Sequence, residues 1–305
     1  MSGPKIGIVG IGFVGDTLRR WFVKTGWRSG RNLFCYDADP RKGYAAKEAI
    51  YKADIVFICV PTPVGKRGRC DTSIVEAVVR DFARSSLCLV VRSTVPPGTA
   101  KRLAVKYGVR IVSYPEFLTE KNARRDFQRP SRQVFGFADD DITFRYALEA
   151  MLPQSTVIDV STTEAEMIKY LSNVFGAFKV VFANVAKIYC DAFGADYEKV
   201  RAGIAADQRI GDSWLDVEYA SYRGFGGYCF PKDLLALIVE GDILARQLKK
   251  KNERLAGLLR EAVHYLRAGY HFNERLLASQ GLTVPEVSGH ITEEKDIEQK
   301  RKARS

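Results

Sequence analysis

The sequence predicts an α/β fold: a doubly wound parallel sheet, then a long central helix, then a mostly helical second domain. Three observations carry that prediction. Short apolar runs alternate with amphipathic stretches through the first half, a proline-free stretch runs from Glu164 to Phe193, and a glycine-rich turn joins the first apolar run to the first helical pattern. Strand–helix alternation of this kind makes a parallel sheet covered by helices on both faces.

The elements follow in order. Lys5–Gly10, Asn32–Tyr36, Ile55–Val60, Leu87–Arg92, Arg110–Ser113, Gln133–Phe137 and Thr156–Asp159 are rich in Ile, Val and Phe and bounded by turn formers, and read as strands. Val14–Thr25, Ser73–Ala83, Gly98–Tyr107 and Ile142–Met151 carry helical spacing between them. Glu164–Phe193 can form a single helix of about 45 Å at 1.5 Å per residue. Helices at Tyr197–Ala205, Leu234–Glu240 and Gln247–Gln280 follow, the last interrupted by Gly257 and Gly269. The expected organisation is a nucleotide-binding domain over 1–162, a helical domain over 163–280 and a charged tail over 281–305.

Composition narrows the class. At 305 residues the chain is long enough for two domains. With 46% hydrophobic and 27% charged residues it is neither disordered nor collagen-like. No uninterrupted apolar run approaches the ~20 residues of a membrane span, and Met1 to Gly15 lacks the pattern of a secretory signal. A soluble, cytoplasmic chain that binds neither membrane nor nucleic acid is the expectation. Six cysteines without C-x-x-C spacing and only three histidines point away from a metal, and a reducing compartment fits. The net charge of +11 suits phosphorylated small ligands. Basic and acidic residues are interleaved, in the tail as elsewhere, which argues against a dedicated nucleic-acid stripe.

Gly10-Ile11-Gly12-Phe13-Val14-Gly15 leaves the first strand and opens the first helix. Gly10 permits the tight turn, Gly12 admits a pyrophosphate to the backbone, and Gly15 lets the helix pack on the strand. The helix N-terminus at Phe13 and Val14 aims unpaired N–H groups at the phosphates. Asp37, about 20 residues on, can accept ribose hydroxyls and repel a 2′-phosphate, so the site reads as Rossmann-type and selective for NAD. Arg41 is a nearby cation that could accommodate that phosphate.

A second glycine-rich segment is Gly224-Phe225-Gly226-Gly227-Tyr228-Cys229-Phe230-Pro231-Lys232-Asp233. Cys229 there has a lysine and a helix start at hand to favour its thiolate. A structural cysteine in a tight turn fits these properties equally well.

The segment resembles the active-site loop of the UDP-glucose/GDP-mannose dehydrogenase family, whose signature is G-G-x-C-x-P-K-D. Further matches occur in the family's order. They are Val60-Pro61-Thr62-Pro63, Ser93-Thr94-Val95-Pro96-Pro97-Gly98-Thr99 and Tyr114-Pro115-Glu116-Phe117-Leu118-Thr119-Glu120. Glu166, Lys169, Asn173 and Asn184 follow on the long helix, and Asp207-x-Arg209-Ile210-Gly211 precedes the cysteine loop. The resemblance implies a two-step oxidation of a nucleotide-sugar alcohol to a carboxylate, with two NAD reduced. It implies that Cys229 traps the aldehyde, Glu120 activates the hydrolytic water, Lys169 and Asn173 stabilise an oxyanion, and Asp233 assists proton transfer. Thr94 matches the family's active-site threonine. Pro61, Thr62, Thr94, Glu120 and Lys232 join the glycine loop on the cofactor side. Glu116, Phe117, Leu118, Phe225, Gly226 and Gly227 join Lys169 and Asn173 on the substrate side. Arg209 is implied to reach the neighbouring subunit's substrate, which presupposes a homodimer through the helical domain.

The resemblance also marks departures. The family's second α/β domain, which covers the nucleotide of the substrate, has no counterpart in 281–305. Val185 follows Asn184 where the family often has an acid. The stretch Asp212–Arg223, with Trp214, Tyr219 and Tyr222, is longer than usual, and either shields the site or packs in place of the missing domain's surface. Two other readings stay open: an NAD-binding member without turnover that acts as an assembly partner, and a dehydrogenase of a smaller hydroxy acid. The cysteine loop argues against the latter, since an alcohol-to-ketone oxidation needs no thiol.

Overall fold

A computed structural model describes residues 3–44, 46–84, 87–119, 122–138, 142–219 and 221–288, the side chains of 142, 143 and 219 excepted. The expected tail from 289 onward and the expected base Glu120 lie outside these residues. Two compact units are present. The first comprises Met1–Pro63 and Cys70–Lys169, the second Val64–Arg69 and Tyr170–Ser305. The division falls inside the long helix, between Lys169 and Tyr170, rather than at the expected boundary after 162.

All seven expected strands form, as β1 (Ile6–Val9), β2 (Leu33–Tyr36), β3 (Ile55–Ile58), β4 (Cys88–Val91), β5 (Arg110–Ser113), β6 (Arg132–Phe137) and β7 (Thr156–Ser161). They make one sheet in the order β2-β1-β3-β4-β5-β6-β7. Neighbours are parallel except β5 and β6, which meet antiparallel at Ser113 and Gly136; the sheet is therefore mostly rather than wholly parallel. The connection between them contains a short helix, α4 (Ala123–Gln128), that spacing did not reveal.

Strand side chains alternate between two cores. Ile8, Phe57, Val90 and Val112 pack with Leu18 and Phe22 of α1 (Phe13–Lys24). Val56, Ile58, Leu89 and Val91 pack with Val75 and Val79 of α2 (Ser73–Asp81) and Leu103 of α3 (Thr99–Tyr107). Helix α5 (Ile142–Met151) completes the covering of the first unit. Both faces of β1, β3 and β4 are buried, so these strands are apolar throughout instead of alternating with polar residues, whereas β7 at the edge carries exposed Thr156 and Asp159.

Helix α6 (Thr162–Phe193) is long and apolar enough to meet the length and hydropathy criteria of a membrane span. Within the second unit its Val174, Ala177 and Val180 instead pack against Leu234 and Ile238 of α8 (Phe230–Leu248) and Val263 of α9 (Glu253–Ala278). Helix α7 (Tyr197–Ala205) and a hairpin of β8 (Glu218–Tyr219) and β9 (Tyr222–Arg223) complete this unit. Val64–Arg69 belongs here too, with Arg69 paired to Glu240 at 3.3 Å. Packing continues past the expected boundary at 280. Leu282 and Val287 are buried, and α10 (Val284–Val287) begins in a capping box between Thr283 and Glu286.

Candidate active site

In the first unit the glycine loop has the shape expected. Gly10 sits at φ +89°, and a Cβ there would lie 2.6 Å from the Cys59 carbonyl oxygen. A Cβ on Gly15 would lie 1.9 Å from the carbonyl oxygen of Gly10 itself. Gly12 faces open space instead, at the point where α1 presents its N-terminal N–H groups. Asp37 closes the loop from the end of β2. Its carboxylate accepts the N–H of Ile11 at 2.6 Å and of Asp39 at 2.9 Å, and the Lys42 ammonium at 2.9 Å. Burial pushes this carboxyl up, but those donors together hold it below its usual range. A carboxylate has about four acceptor positions, so one remains for a ribose hydroxyl. The residues fit a dinucleotide. Arg41 is turned to its own neighbour Asp39 at 2.8 Å, so Lys42 is the cation at Asp37.

Beyond the sheet edge Thr62 is buried and donates its hydroxyl to the Thr94 carbonyl at 2.8 Å, while Pro61 is exposed. Thr94, Ser113, Pro115, Glu166 and Lys169 line one small cleft. There Lys169 pairs with Glu116 at 3.2 Å, both buried, and the ammonium lies 5.3 Å above the Phe117 ring. Glu116 also accepts the Leu118 N–H at 2.7 Å. Burial alone would raise the Glu116 carboxyl, yet Lys169, the Leu118 N–H and Arg92 outweigh it and leave it lowered. Arg92 is itself buried, with its guanidinium 4.1 Å from the Tyr114 ring centroid.

Glu166, matched in the sequence but given no role there, accepts the N–H groups of Gly98 at 2.6 Å and Ala100 at 2.8 Å and so caps α3 from α6. Burial raises its carboxyl to about 7 against those bonds. Its one sequence signal is spacing: positions 166, 169 and 173 place a polar stripe on an apolar helix.

The second unit holds another buried cluster. Asp233 is fully buried, accepts the Asn173 amide at 2.6 Å and pairs with Lys232. Lys232, expected on the cofactor side, thus has its ammonium on Asp233. Cys229 is the N-cap residue of α8, and its carbonyl accepts the Asp233 N–H at 2.9 Å. All six cysteines are unbridged. Phe225 is buried against α6 and α8, between left-handed Gly224 and the Gly226–Gly227 pair. Arg209 stands apart, 90% exposed and ion-paired with Asp207 at 2.6 Å.

In the stretch before the cysteine loop Leu215, Val217 and Tyr222 are buried, while Trp214 is exposed at φ +64° with its ring edge-on to Phe230.

The fold and its glycine loop define a dinucleotide-binding protein of the dehydrogenase type. Residues 41–151 match the NAD binding domain, and residues 163–252 the central domain, of the UDP-glucose/GDP-mannose dehydrogenase family. The chain belongs to that family, and its cofactor is NAD. It is 36% identical over 258 residues to the UDP-glucose 6-dehydrogenase of Pseudomonas aeruginosa, covering 77% of this chain and 56% of that protein. To the UDP-glucose 6-dehydrogenase TuaD of Bacillus subtilis it is 31% identical over 279 residues, covering 77% and 58%. A UDP-glucose dehydrogenase structure from Pyrobaculum islandicum superposes with a TM-score of 0.75 at 29% identity, covering 90% of this chain and 68% of that one. The chain therefore spans little more than half the length of these curated relatives. The Mycobacterium tuberculosis 3-hydroxyisobutyrate dehydrogenase shares the fold at a TM-score of 0.59 and 18% identity, covering 88% of this chain and 99% of that one.

Proposed function

We propose that this chain is a nucleotide-sugar 6-dehydrogenase that oxidises the primary alcohol of UDP-glucose, or a related nucleotide sugar, to the carboxylate. The observation that carries the reading is Cys229 at the start of α8, one turn from a buried Asp233 that Asn173 and Lys232 hold in place. NAD, when bound on the glycine loop, supplies the hydride acceptor for each of the two oxidations.

Cys229 forms a bond from sulfur to the aldehyde carbon left by the first oxidation, and keeps the sugar attached as a thiohemiacetal between the two. The positive end of α8 favours a negative sulfur before attack. Lys169 and Asn173 donate to the oxygen as charge develops on it. The second oxidation leaves a thioester on Cys229. Water adds to its carbonyl, the carbon–sulfur bond breaks, and the carboxylate leaves with the thiol restored. Asp233 orients that water. Glu116 serves the same step by holding the Lys169 side chain in place through their ion pair, and the base is assigned to Glu120. Thr94 and Thr62 shape the cofactor side, with Phe13, Val14 and Pro61 at its rim. Phe117, Leu118 and the Phe225–Gly227 backbone shape the sugar side.

The active form is proposed as a cytoplasmic homodimer. Leu171, Phe175, Phe182, Tyr189 and Phe193 leave an exposed apolar stripe along α6, which a second copy of the same helix can cover. Arg209 is then free to reach the partner's substrate. Sedimentation of the Phe182→Glu variant as a monomer is the expected result.

The deciding test is NADH absorbance with NAD and UDP-glucose, with GDP-mannose in parallel. Two NADH per sugar are expected, and Cys229→Ser should abolish acid formation while NAD binding stays near normal. Undiminished acid formation by that variant would falsify the mechanism. No NADH from a chain that binds NAD would leave the non-catalytic assembly partner as the reading.

A further inference from the structure

We propose that Asn273 in α9 and Gln280 just past its C-cap are positioning residues that set the place of the Cys229 sulfur by clamping the backbone of its loop; the consequence for turnover rests on the dehydrogenase reading.

From Arg223 to Gly227 the chain leaves a hairpin of two-residue strands and runs toward α8 with no further strand beside it among the described residues. Buried peptide groups on such a path must find partners. Gln280 provides them for Arg223: its Oε1 accepts the Arg223 N–H at 2.8 Å, and its Nε2 donates to the Arg223 carbonyl at 2.9 Å. Two residues on, Asn273 repeats the pattern. Its Oδ1 accepts the Phe225 N–H at 2.7 Å, and its Nδ2 donates to the Phe225 carbonyl at 3.0 Å.

Arg223 and Phe225 lie on either side of the bend at Gly224 (φ +107°), where a regular strand ladder cannot continue. Each carboxamide therefore satisfies both the N–H and the carbonyl of one residue, Gln280 before the bend and Asn273 after it. Only a carboxamide carries the donor and the acceptor this needs; a carboxylate lacks the donor, and an alkyl group lacks both. Asn273 is 1% exposed, and a Cβ at the intervening Gly224 would stand 2.6 Å from its Oδ1, so the fit depends on glycine there.

Two further contacts close the loop. The Arg223 guanidinium donates to buried Asn184 at 3.1 Å, and the Gly227 N–H donates to the Val287 carbonyl at 2.8 Å. Cys229 follows two residues later and is fixed from the other side by the Asp233 N–H. The sulfur thus sits between a clamp upstream and a helix start downstream.

The test compares Asn273→Asp and Gln280→Glu, each keeping shape and acceptor but losing the donor, in the full-length chain. Iodoacetamide alkylation of Cys229 is followed across pH, with a Cys229→Ser protein giving the contribution of the other five thiols. Circular dichroism and thermal melting report folding. The expected result is an alkylation profile displaced along the pH axis and about tenfold slower. A kcat lowered about tenfold to a hundredfold is expected with KM nearly unchanged, the scale at which an ångström of misplacement acts. Wild-type alkylation and kcat in the folded variants would overturn the clamp. Should Asn273→Asp not fold, Gln280→Glu alone decides by the same readouts. Displaced alkylation together with no NADH from the wild-type chain sustains the clamp and overturns the dehydrogenase reading instead.

Discussion

Gly10 and Gly15 meet backbone of their own strand–turn–helix and of the adjoining strand, whereas Gly224 and Gly226 meet groups from the far end of the chain, Asn273 and Val287, together with the side chain of nearby Tyr222. In the first loop the closest atoms are carbonyls of Gly10 and Cys59. In the second, a Cβ on Gly224 would meet Asn273 Oδ1, and one on Gly226 would lie 2.1 Å from the Tyr222 hydroxyl and 2.6 Å from the Val287 carbonyl. Both loops use glycine to let something come close. The cofactor loop is shaped by its own secondary structure, so a short motif suffices to specify it. The cysteine loop is shaped by side chains of α9 and by the segment after it, so its motif marks the place without explaining the shape.

That contrast can be broken in order of expected effect. Gly15→Ala forces a methyl group into a backbone carbonyl that cannot rotate away, and should remove NAD binding in titration calorimetry; binding within threefold of wild type would refute the loop's assignment. Glu116→Gln leaves Lys169 buried without its counter-charge and should cost about 3–5 kcal/mol in urea unfolding of the first unit. An effect below about 1 kcal/mol would mean that water already reaches the pair.

Gly224→Ala should cost about 1–3 kcal/mol, from a left-handed backbone and the contact with Asn273. If the amide is what it strikes, then adding Asn273→Ala should cost less than the sum of the two single changes. Strict additivity would place the cost in the backbone alone.

A smaller effect concerns pH. Glu166 has its carboxyl raised to about 7 in the fold, from 4.5 when unfolded. The folded chain therefore binds more protons between those values, and this group's contribution makes stability fall as pH rises from about 4.5 to about 7. Glu116 acts in the opposite sense, since its lowered carboxyl adds stability above its unfolded value that is lost on acidification. Glu166→Gln should flatten the first dependence in urea titrations between pH 5 and 8; an unchanged slope would assign the titration elsewhere. Arg209→Ala should leave the melting temperature where it is, because its ion pair with Asp207 lies in solvent.

Local pattern by itself determined the seven strands, most of the helices and the dinucleotide loop, because each depends on side-chain period, flanking glycines and a helix start close in sequence. Motif order also named Cys229, Lys169, Asn173, Asp233 and Glu116. It could not show that Lys169 is tied to Glu116, or that Lys232 and Asn173 both serve Asp233, since those pairings join residues whose separation carries no period. Helix α4 and the antiparallel entry of β6 were invisible for the same reason: a six-residue helix has too few turns to show a stripe. Packing decided that Leu282–Val287 belongs with the second unit, where charge pattern had suggested a tail. Asn273 and Gln280 are the clearest case. As letters they are ordinary polar residues near the end of an amphipathic helix, and only the passage of the Arg223–Phe225 backbone beside them turns two side-chain amides into partners for its peptide groups.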